Sequence, residues 1–285
     1  MTCYNTRMST STTTARAAAP DAQAEQRSGA FALKRVHLWA LIPLAVAWFA
    51  ASIDFIEPFD FWWNVKSGEI MAQTGCFLAT DVLVYTPVRE PYANPQWGSQ
   101  IIFYWLFSIS PYLLLTLRAL IVTAVVGLLI WLCVWRSGSL RVGAVAALVA
   151  YLTGWTNYGM RPQLLAFIPF VLYLVLLERK DEHPRWLPLL VPVMLFWVNV
   201  HGSFFLGVAM LGIYALGTVV ERAGSAEGRT WLRSRAALWQ AGWFAAAAAA
   251  SLANPYFAGI YRYFFAATND PIARSLNMEW QGPTL

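Results

Sequence analysis

Seven apolar runs set the rhythm of the chain. They begin at Leu38, Tyr112, Val142, Leu164, Trp186, Phe204 and Ala236 and end near Ile53, Trp135, Tyr158, Leu177, Val200, Val220 and Ala253. A helix needs about 20 apolar residues, with a range of roughly 17 to 25, to cross a hydrocarbon core. The runs approach that length as solid blocks rather than amphipathic stripes. They predict an all-α fold, a polytopic transmembrane helical bundle of about seven spans. A shorter piece, QIIFYWLFSIS (100–110), stops at Pro111 and predicts an interfacial or re-entrant helix that leads into the second span. The fifth and sixth runs are separated only by a very tight turn at His201 to Ser203.

Polar positions divide the rest. Residues 1–34 have no apolar run and are rich in Ser, Thr and Ala over their first thirty positions, which predicts a disordered cytoplasmic tail ahead of a transmembrane domain over 35–285. No basic start followed by an apolar core marks a secretory signal there. Residues 56–111 form the first outer loop. Its opening stretch, IEPFDFWWNVKSGEIMAQTG (56–75), mixes Phe61, Trp62, Val65, Ile70 and Met71 with Asn64, Lys66, Glu69 and Gln73. That mixture suits a helix lying in the headgroup layer, where indoles such as Trp62 and Trp63 prefer to sit.

Composition supports the membrane reading. Hydrophobic residues make up 58% of the chain and charged residues 12%, against about 25% charged in ordinary soluble domains. The net charge of +5 reflects where the bases lie. With the N-terminus inside, Lys66, Arg89, Arg161, Arg262 and Arg274 fall on outer segments and Arg118 within a span. The other fourteen of the 20 Lys and Arg residues fall on inner segments. That bias predicts an N-in topology and is not a nucleic-acid footprint. Cys3, Cys76 and Cys133 are too scattered for a disulfide framework or a metal site. No phosphate-cradling loop, dinucleotide fingerprint or nucleophile elbow is present, which leaves ATP- or NAD-driven chemistry without support.

The polar residues without a topogenic role then gather on the outer side. Asp54, Glu57, Asp60, Glu69, Asp81 and Glu90 lie in the first loop; Asn157, Arg161, Gln163, Asn199 and His201 lie at span ends; Asn254, Asp270, Glu279 and Trp280 follow the last span. Asp60 has two readings, an N-cap for a helix stopped by Gly75 or a general base acting on an acceptor hydroxyl. Asp81 is either a turn residue or a second carboxylate. The two acids leave a shared divalent cation open, although no ligand spacing identifies one. Arg161, in NYGMRPQLL (157–165), runs against the orientation bias, and its guanidinium fork suits a phosphate or a lipid headgroup. His201 suits a phosphate when protonated, or accepts a proton. It shares a site with Asn199 only if the helix unwinds near Gly202. Arg118 either snorkels or pairs within the bundle.

In order along the chain, DFWWNVKSGEIMAQTG, TDVLVYT, QWGSQIIFYWLF, RPQLLAF, WVNVHGSFFLG, ANPY and MEW resemble bacterial membrane proteins of the GT-C glycosyltransferase class. The nearest group is the one related to the polyprenyl-phosphate-sugar-dependent and dolichyl-phosphate-mannose-dependent transferases, and the likeness covers about residues 35–282. The resemblance implies a catalytic aspartate in the first outer loop, interfacial helices, and a polyprenyl-phosphate-linked sugar donor drawn from membrane lipid. It makes Asp60 and Asp81 the catalytic pair. Arg161, His201, Asn199, Gln163 and Trp63 become the phosphate- and substrate-binding set.

Two departures accompany the likeness. Asn64 stands where relatives usually carry a histidine after the tryptophan pair, and NPQW, with Asn94 and Gln96, stands where they tend to show His-Glu-Trp. Both imidazoles that a metal-assisted step would use are replaced. Relatives also continue with further spans beyond the position of Leu285. The expectation is a membrane glycosyltransferase working on the periplasmic face of the bacterial inner membrane. The alternatives are a non-catalytic polyprenyl-lipid-binding or translocation subunit and a structural component of an envelope complex.

Overall fold

A computed structural model of the chain describes residues 35–53, 56, 58–78, 80–83, 93–271 and 275. The expected tail, Cys3, Asp54, Glu57, Glu90, Glu279 and Trp280 lie outside the described residues. Among the described residues every regular element is a helix: α1 (Leu38–Ile53), α2 (Pro58–Thr74), α3 (Trp97–Ile109), α4 (Pro111–Ser137), α5 (Leu140–Thr153), α6 (Gln163–Glu178), α7 (Leu190–Val200), α8 (Phe204–Ala223), α9 (Ala226–Leu232), α10 (Arg235–Ala250) and α11 (Gly259–Asn269). Short 3-10 turns at Trp155–Asn157 and Pro184–Leu189 precede α6 and α7. Each of the seven apolar runs is therefore mainly helical. Two helices, α4 with 27 residues and α8 with 20, are long and apolar enough to cross a membrane. Shorter apolar helices occupy Leu38–Ile53, Leu140–Thr153, Gln163–Glu178 and Pro184–Val200.

Local chemistry explains the boundaries. Pro111 opens α4 at a position where its missing N–H is not needed, after an extended Ser110. Gly138 closes the same helix at φ 67°, the left-handed conformation a side chain resists. Ser139 and Ser234 then cap α5 and α10, accepting from the N–H groups of Val142 and Ala237. Gly75, at φ 66°, stops α2 as expected, with its N–H on the Met71 carbonyl at 2.9 Å. The expected start is corrected: α2 begins at Pro58, so Asp60 sits in the first turn rather than at the N-cap. A proline is tolerated at the first helical position, so the helix starts two residues before the acid.

Two buried clusters organise the packing. One joins α1, α4 and α5 to Phe61, Val65, Phe103 and the first residues of α6; the other joins α6 to α7, α8 and α10. Helix α6 belongs to both, through Leu164, Leu165 and Val171 on one side and Ala166, Tyr173 and Leu177 on the other. Arg118 pairs within the bundle: it is 1% exposed, and its Nε donates to the Ala51 carbonyl in the last turn of α1 at 2.7 Å. That satisfies one of the carbonyls a helix end leaves without a partner. The outward surface is apolar, with Ile53, Ile213, Val220 and Leu238 each more than 60% exposed.

Glycines bring three helices into backbone contact. A Cβ on Gly68 of α2 would fall 2.1 Å from the Gln100 carbonyl oxygen of α3, and one on Gly98 of α3 would fall 2.6 Å from the Asn199 carbonyl oxygen of α7. Helix α3 is thus clasped between α2 and α7. These helices, together with the start of α6, form the end of the bundle that carries Asp60. At the opposite end, Glu178 at the close of α6 meets Arg136 of α4, and Asp181 meets Arg222 of α8.

Candidate functional site

Asp60 and Arg161 come together. The first turn of α2 carries Asp60, and the bend before α6 carries Arg161, whose Nε lies 3.6 Å from Asp60 Oδ2. The carboxylate side chain is 48% exposed and the guanidinium side chain 26%. One flank of the pair therefore stays open to an incoming group. Pro162 and Gln163 start α6 directly behind the arginine, which fixes the direction from which it reaches the acid.

A cavity of about 400 Å³ opens at the start of α6, within the roughly 300–1,000 Å³ range of ligand sites; Gln163 and His201 line it, and Asp60 and Arg161 do not. Ala166, Phe167, Phe170 and Leu206 give it apolar walls, and Gln163, Asn157, His201 and Ser203 give it a polar end. Tyr158 stacks on Tyr151 with ring centroids 5.3 Å apart, packing the segment that supplies Asn157. The wall residues are mainly apolar, with the polar groups of Gln163, Asn157, His201 and Ser203 among them.

The state of His201 follows from its contacts. Helix α7 ends at Val200, and His201 turns to extended backbone at φ −161°. Its Nδ1 accepts from the Ser203 N–H at 3.1 Å and lies 2.8 Å from Ser203 Oγ, which itself accepts from Trp197 Nε1 at 3.1 Å. Two donors on Nδ1 leave the ring proton on Nε2. Burial pushes the imidazole down from 6.5 to about 4. The ring is therefore held neutral near pH 7, a form that offers a hydrogen bond from Nε2.

Other candidates have structural duties. Asn199 Oδ1 accepts from Trp97 Nε1 at 3.0 Å, while its Nδ2 donates to the carbonyls of Leu195 and Ala253 at 2.8 and 2.9 Å. The break after Val200 turns His201 toward the cavity and leaves Asn199 as a bracket joining α7, α3 and the end of α10. Asp81 Oδ1 accepts from the Leu83 N–H at 3.0 Å, the turn role, and Asp81 is not on the cavity wall. Trp63 is partly buried within α2. Glu69 is tied to Lys66 at 2.8 Å and to Gln73, and the Lys66 hydrogen bond holds its carboxyl below the usual range. Asn254 accepts from the Tyr256 N–H at 2.8 Å and donates to the Ser251 carbonyl, closing the turn after α10. Among the described residues, no group of three or more His, Cys, Asp or Glu is placed to hold a metal ion.

The positions where the family likeness expects imidazoles form one closed carboxamide network. Asn64 is 0% exposed, Gln100 0% and Asn94 1%. Gln100 Nε2 donates to Asn64 Oδ1 at 2.9 Å, and Asn94 Nδ2 donates to Gln100 Oε1 at 2.6 Å. Gln96 Nε2 makes a longer contact to Asn64 Oδ1 at 3.4 Å. Asn64 Nδ2 donates to the Asp60 carbonyl at 2.7 Å, and the Asn94 N–H donates to Tyr256 Oη at 2.9 Å. The chain of amides thus runs from beneath Asp60, through α3, to the segment after α10. Ser99, buried beside it, donates from Oγ to the Val200 carbonyl at 2.5 Å. Gln100, Ser99 and Tyr256 were not sequence candidates, and only the run of polar residues NPQWGSQ (94–100) hinted at them.

Comparison with known proteins adds no identity to this geometry: no protein-family model matches the chain, and neither does any curated protein or solved structure.

Proposed function

We propose that this chain is a multi-pass inner-membrane protein of about seven spans, N-terminus in the cytoplasm, that transfers a sugar from a polyprenyl-phosphate carrier to an acceptor on the periplasmic face. The observation that carries the reading is the Asp60–Arg161 contact at 3.6 Å, with Arg161 two residues ahead of Gln163, which with His201 lines an apolar-walled cavity that the pair itself does not line. The apolar outward surface at Ile53, Ile213, Val220 and Leu238 supports the bilayer setting. So do the two helices long enough to cross it and the one-sided Lys and Arg. The ordered motifs of the family likeness support the chemistry.

The residues divide the work as follows. The carrier's phosphate takes the guanidinium fork of Arg161, which releases the Asp60 carboxylate from its ion pair. Asp60 accepts the proton of the acceptor hydroxyl as that oxygen attacks the anomeric carbon. The bond from the anomeric carbon to the phosphate oxygen breaks, and the phosphate leaves with the electron pair, so the sugar is inverted. The neutral imidazole of His201 and the Gln163 amide donate hydrogen bonds at the polar end. The polyprenyl chain lies along Phe167, Phe170 and Leu206.

A second reading is a subunit that binds the lipid carrier without turning it over, and the carboxamide network favours it, because Asn64, Asn94 and Gln96 hold no imidazole. Reconstitution in liposomes with a lipid-phosphate sugar separates the two. Transfer by the wild type and its loss in Asp60→Asn, with carrier binding retained, is the expected result. Saturable binding with no turnover in either protein would establish the binder. Undiminished transfer in Asp60→Asn would end the proposed mechanism.

A further inference from the structure

The end of the bundle away from Asp60 carries cavities of its own. A cavity of about 340 Å³ is lined by Lys180, Asp181, Arg185, Trp231, Trp239 and Gln240. An apolar groove of about 240 Å³, with Val219, Leu238, Ala241 and Phe244 on its walls, shares Trp231 and Gln240 with that cavity. The two hollows are therefore neighbours across the same indole and amide. The first carries the charged groups Lys180, Asp181 and Arg185 on its wall, and the other runs between α8 and α10.

The walls are set by specific contacts. Trp239 Nε1 donates to the Pro184 carbonyl at 3.2 Å, which ties α10 to the 3-10 turn that bears Arg185. The Arg222 guanidinium lies 4.0 Å from the centre of the Trp231 ring and 3.2 Å from Asp181. Asp181 also pairs with Lys180. On the cavity wall two cations, Lys180 and Arg185, thus face one carboxylate, Asp181; Arg222 reaches Asp181 from outside the wall, and Glu182 is taken by Arg179. Arg185 is exposed and has no ion pair among the described residues. The surplus positive charge calls for an anion, and the adjoining apolar groove calls for a chain attached to it.

We infer that this slot binds one anionic glycerophospholipid, with its phosphate between Lys180 and Arg185 and an acyl chain in the groove beside Leu238 and Phe244. Basic pockets between helices at a membrane surface take acidic headgroups, each Lys or Arg near the surface adding about a fivefold preference. Trp231 and Trp239 suit the boundary between headgroup and chain. The inference rests on the bilayer setting proposed above but not on sugar transfer, and the slot shares no residue with the Asp60 end.

Native mass spectrometry of the full chain in detergent, titrated with phosphatidylglycerol or phosphatidylcholine of matched acyl chains, tests it. The wild type is expected to retain phosphatidylglycerol preferentially. Arg185→Gln should lower that preference about fivefold, and Lys180→Gln with Arg185→Gln should abolish it. Arg233→Gln with Arg235→Gln, exposed cations outside the slot, should leave it intact. Ala241→Phe, which fills the groove, should reduce retention of both lipids. Arg185 makes no side-chain hydrogen bond or ion pair among the described residues, so its loss is expected to leave folding unchanged; melting temperature checks this. Equal retention of the two lipids, an unaltered preference in the Arg185 variant, an equal loss in the control pair, or displacement by inorganic phosphate alone would overturn the inference.

Discussion

The two ends of the bundle handle charge in opposite ways. At the Asp60 end, the acid comes from α2 and its arginine from the bend before α6, far apart in sequence, near the buried carboxamides Asn64, Asn94 and Gln100. At the Lys180 end, charges pair with near neighbours or across adjacent helix tails: Arg179 with Glu182, Lys180 and Arg222 with Asp181, Arg136 with Glu178. There the guanidiniums also rest on indoles, Arg179 over Trp135 at 4.5 Å and Arg222 over Trp231 at 4.0 Å. An end built from long-range contacts holds its charges only while the whole fold is intact. An end whose charges share partners, with Asp181 held by both Lys180 and Arg222 and Arg179 by Glu182 and indoles, is a charged rim that survives the loss of any one member. The first arrangement suits a site with demanding geometry, and the second a surface facing headgroups.

The strongest way to break this contrast is to crowd a glycine at each end. Gly68→Ala sets a Cβ 2.1 Å from the Gln100 carbonyl oxygen, and Gly228→Ala sets one 2.0 Å from the Arg222 carbonyl oxygen. The spaces are equally short, but the relief differs. Gly228 meets a segment six residues away in the chain, which the short α9 can follow as it shifts. Gly68 meets a separate helix already held on its far side by α7 through Gly98 and Asn199. Gly68→Ala is expected to cost about 3 kcal/mol, at the upper end of overpacking penalties, and to separate Asp60 from Arg161. Gly228→Ala should cost clearly less. Equal losses in melting temperature would remove the distinction.

A buried amide at each end gives the next largest effect. Gln100→Leu leaves the Asn94 Nδ2 donor unpaired and removes the stronger partner of Asn64, at about 1–3 kcal/mol for each buried group left unsatisfied. Gln240, 7% exposed at the other end, makes one long contact, Nε2 to Thr218 Oγ1 at 3.4 Å. Gln240→Leu is therefore expected to be close to neutral. Denaturation of both variants in the same detergent compares them directly.

These contrasts show what the sequence could and could not reveal. The helical runs, the stop at Gly75 and the start at Pro111 were legible because apolar blocks, glycine and proline act locally. Arg161 was legible as a candidate because it ran against the expected charge bias, and Asp60 because a carboxylate beside a tryptophan pair admitted a role besides capping; the sequence grouped the two on one side, and their contact is 3.6 Å. The carboxamide network was not. Its Asn64–Gln100 bond joins residues 36 apart, its members do not titrate, and each amide alone reads as an ordinary loop or helix polar residue. Asn199 was misleading for the same reason. It stands two residues from His201, yet its partners are Trp97 and Ala253, and only the end of α7 at Val200 separates the two roles.

His201 supplies a pH test confined to the Asp60 end. Its imidazole is held neutral, at about 4 against 6.5 for a free side chain. Between those values the unfolded chain binds a proton that the folded chain refuses, so folding loses stability as pH falls from 6.5 toward 4. Above 6.5 the group contributes its full effect. The wild type should therefore show a steeper fall in melting temperature over that window than His201→Gln, with the two curves parallel above pH 7. A variant as acid-sensitive as the wild type would show that the buried imidazole is not the group responsible.

The smallest stability effects belong to the exposed carboxylates, and they give the sharpest division between the ends. Asp60 and Asp181 are each 48% exposed in their ion pairs, and pairs of that kind contribute about 0–1 kcal/mol. Asp60→Asn and Asp181→Asn should both melt within a few degrees of the wild type. Their functional consequences should nonetheless run in opposite directions. Removing the Asp60 carboxylate removes the proposed base and lowers transfer. Removing the Asp181 carboxylate frees Lys180 and Arg222 from their shared partner, so the slot near Arg185 should hold phosphatidylglycerol more tightly, by about fivefold for each cation released. Weaker lipid retention in Asp181→Asn would mean that the aspartate orients the cations rather than neutralising them, and the rim at that end would then depend on its geometry as the Asp60 end does.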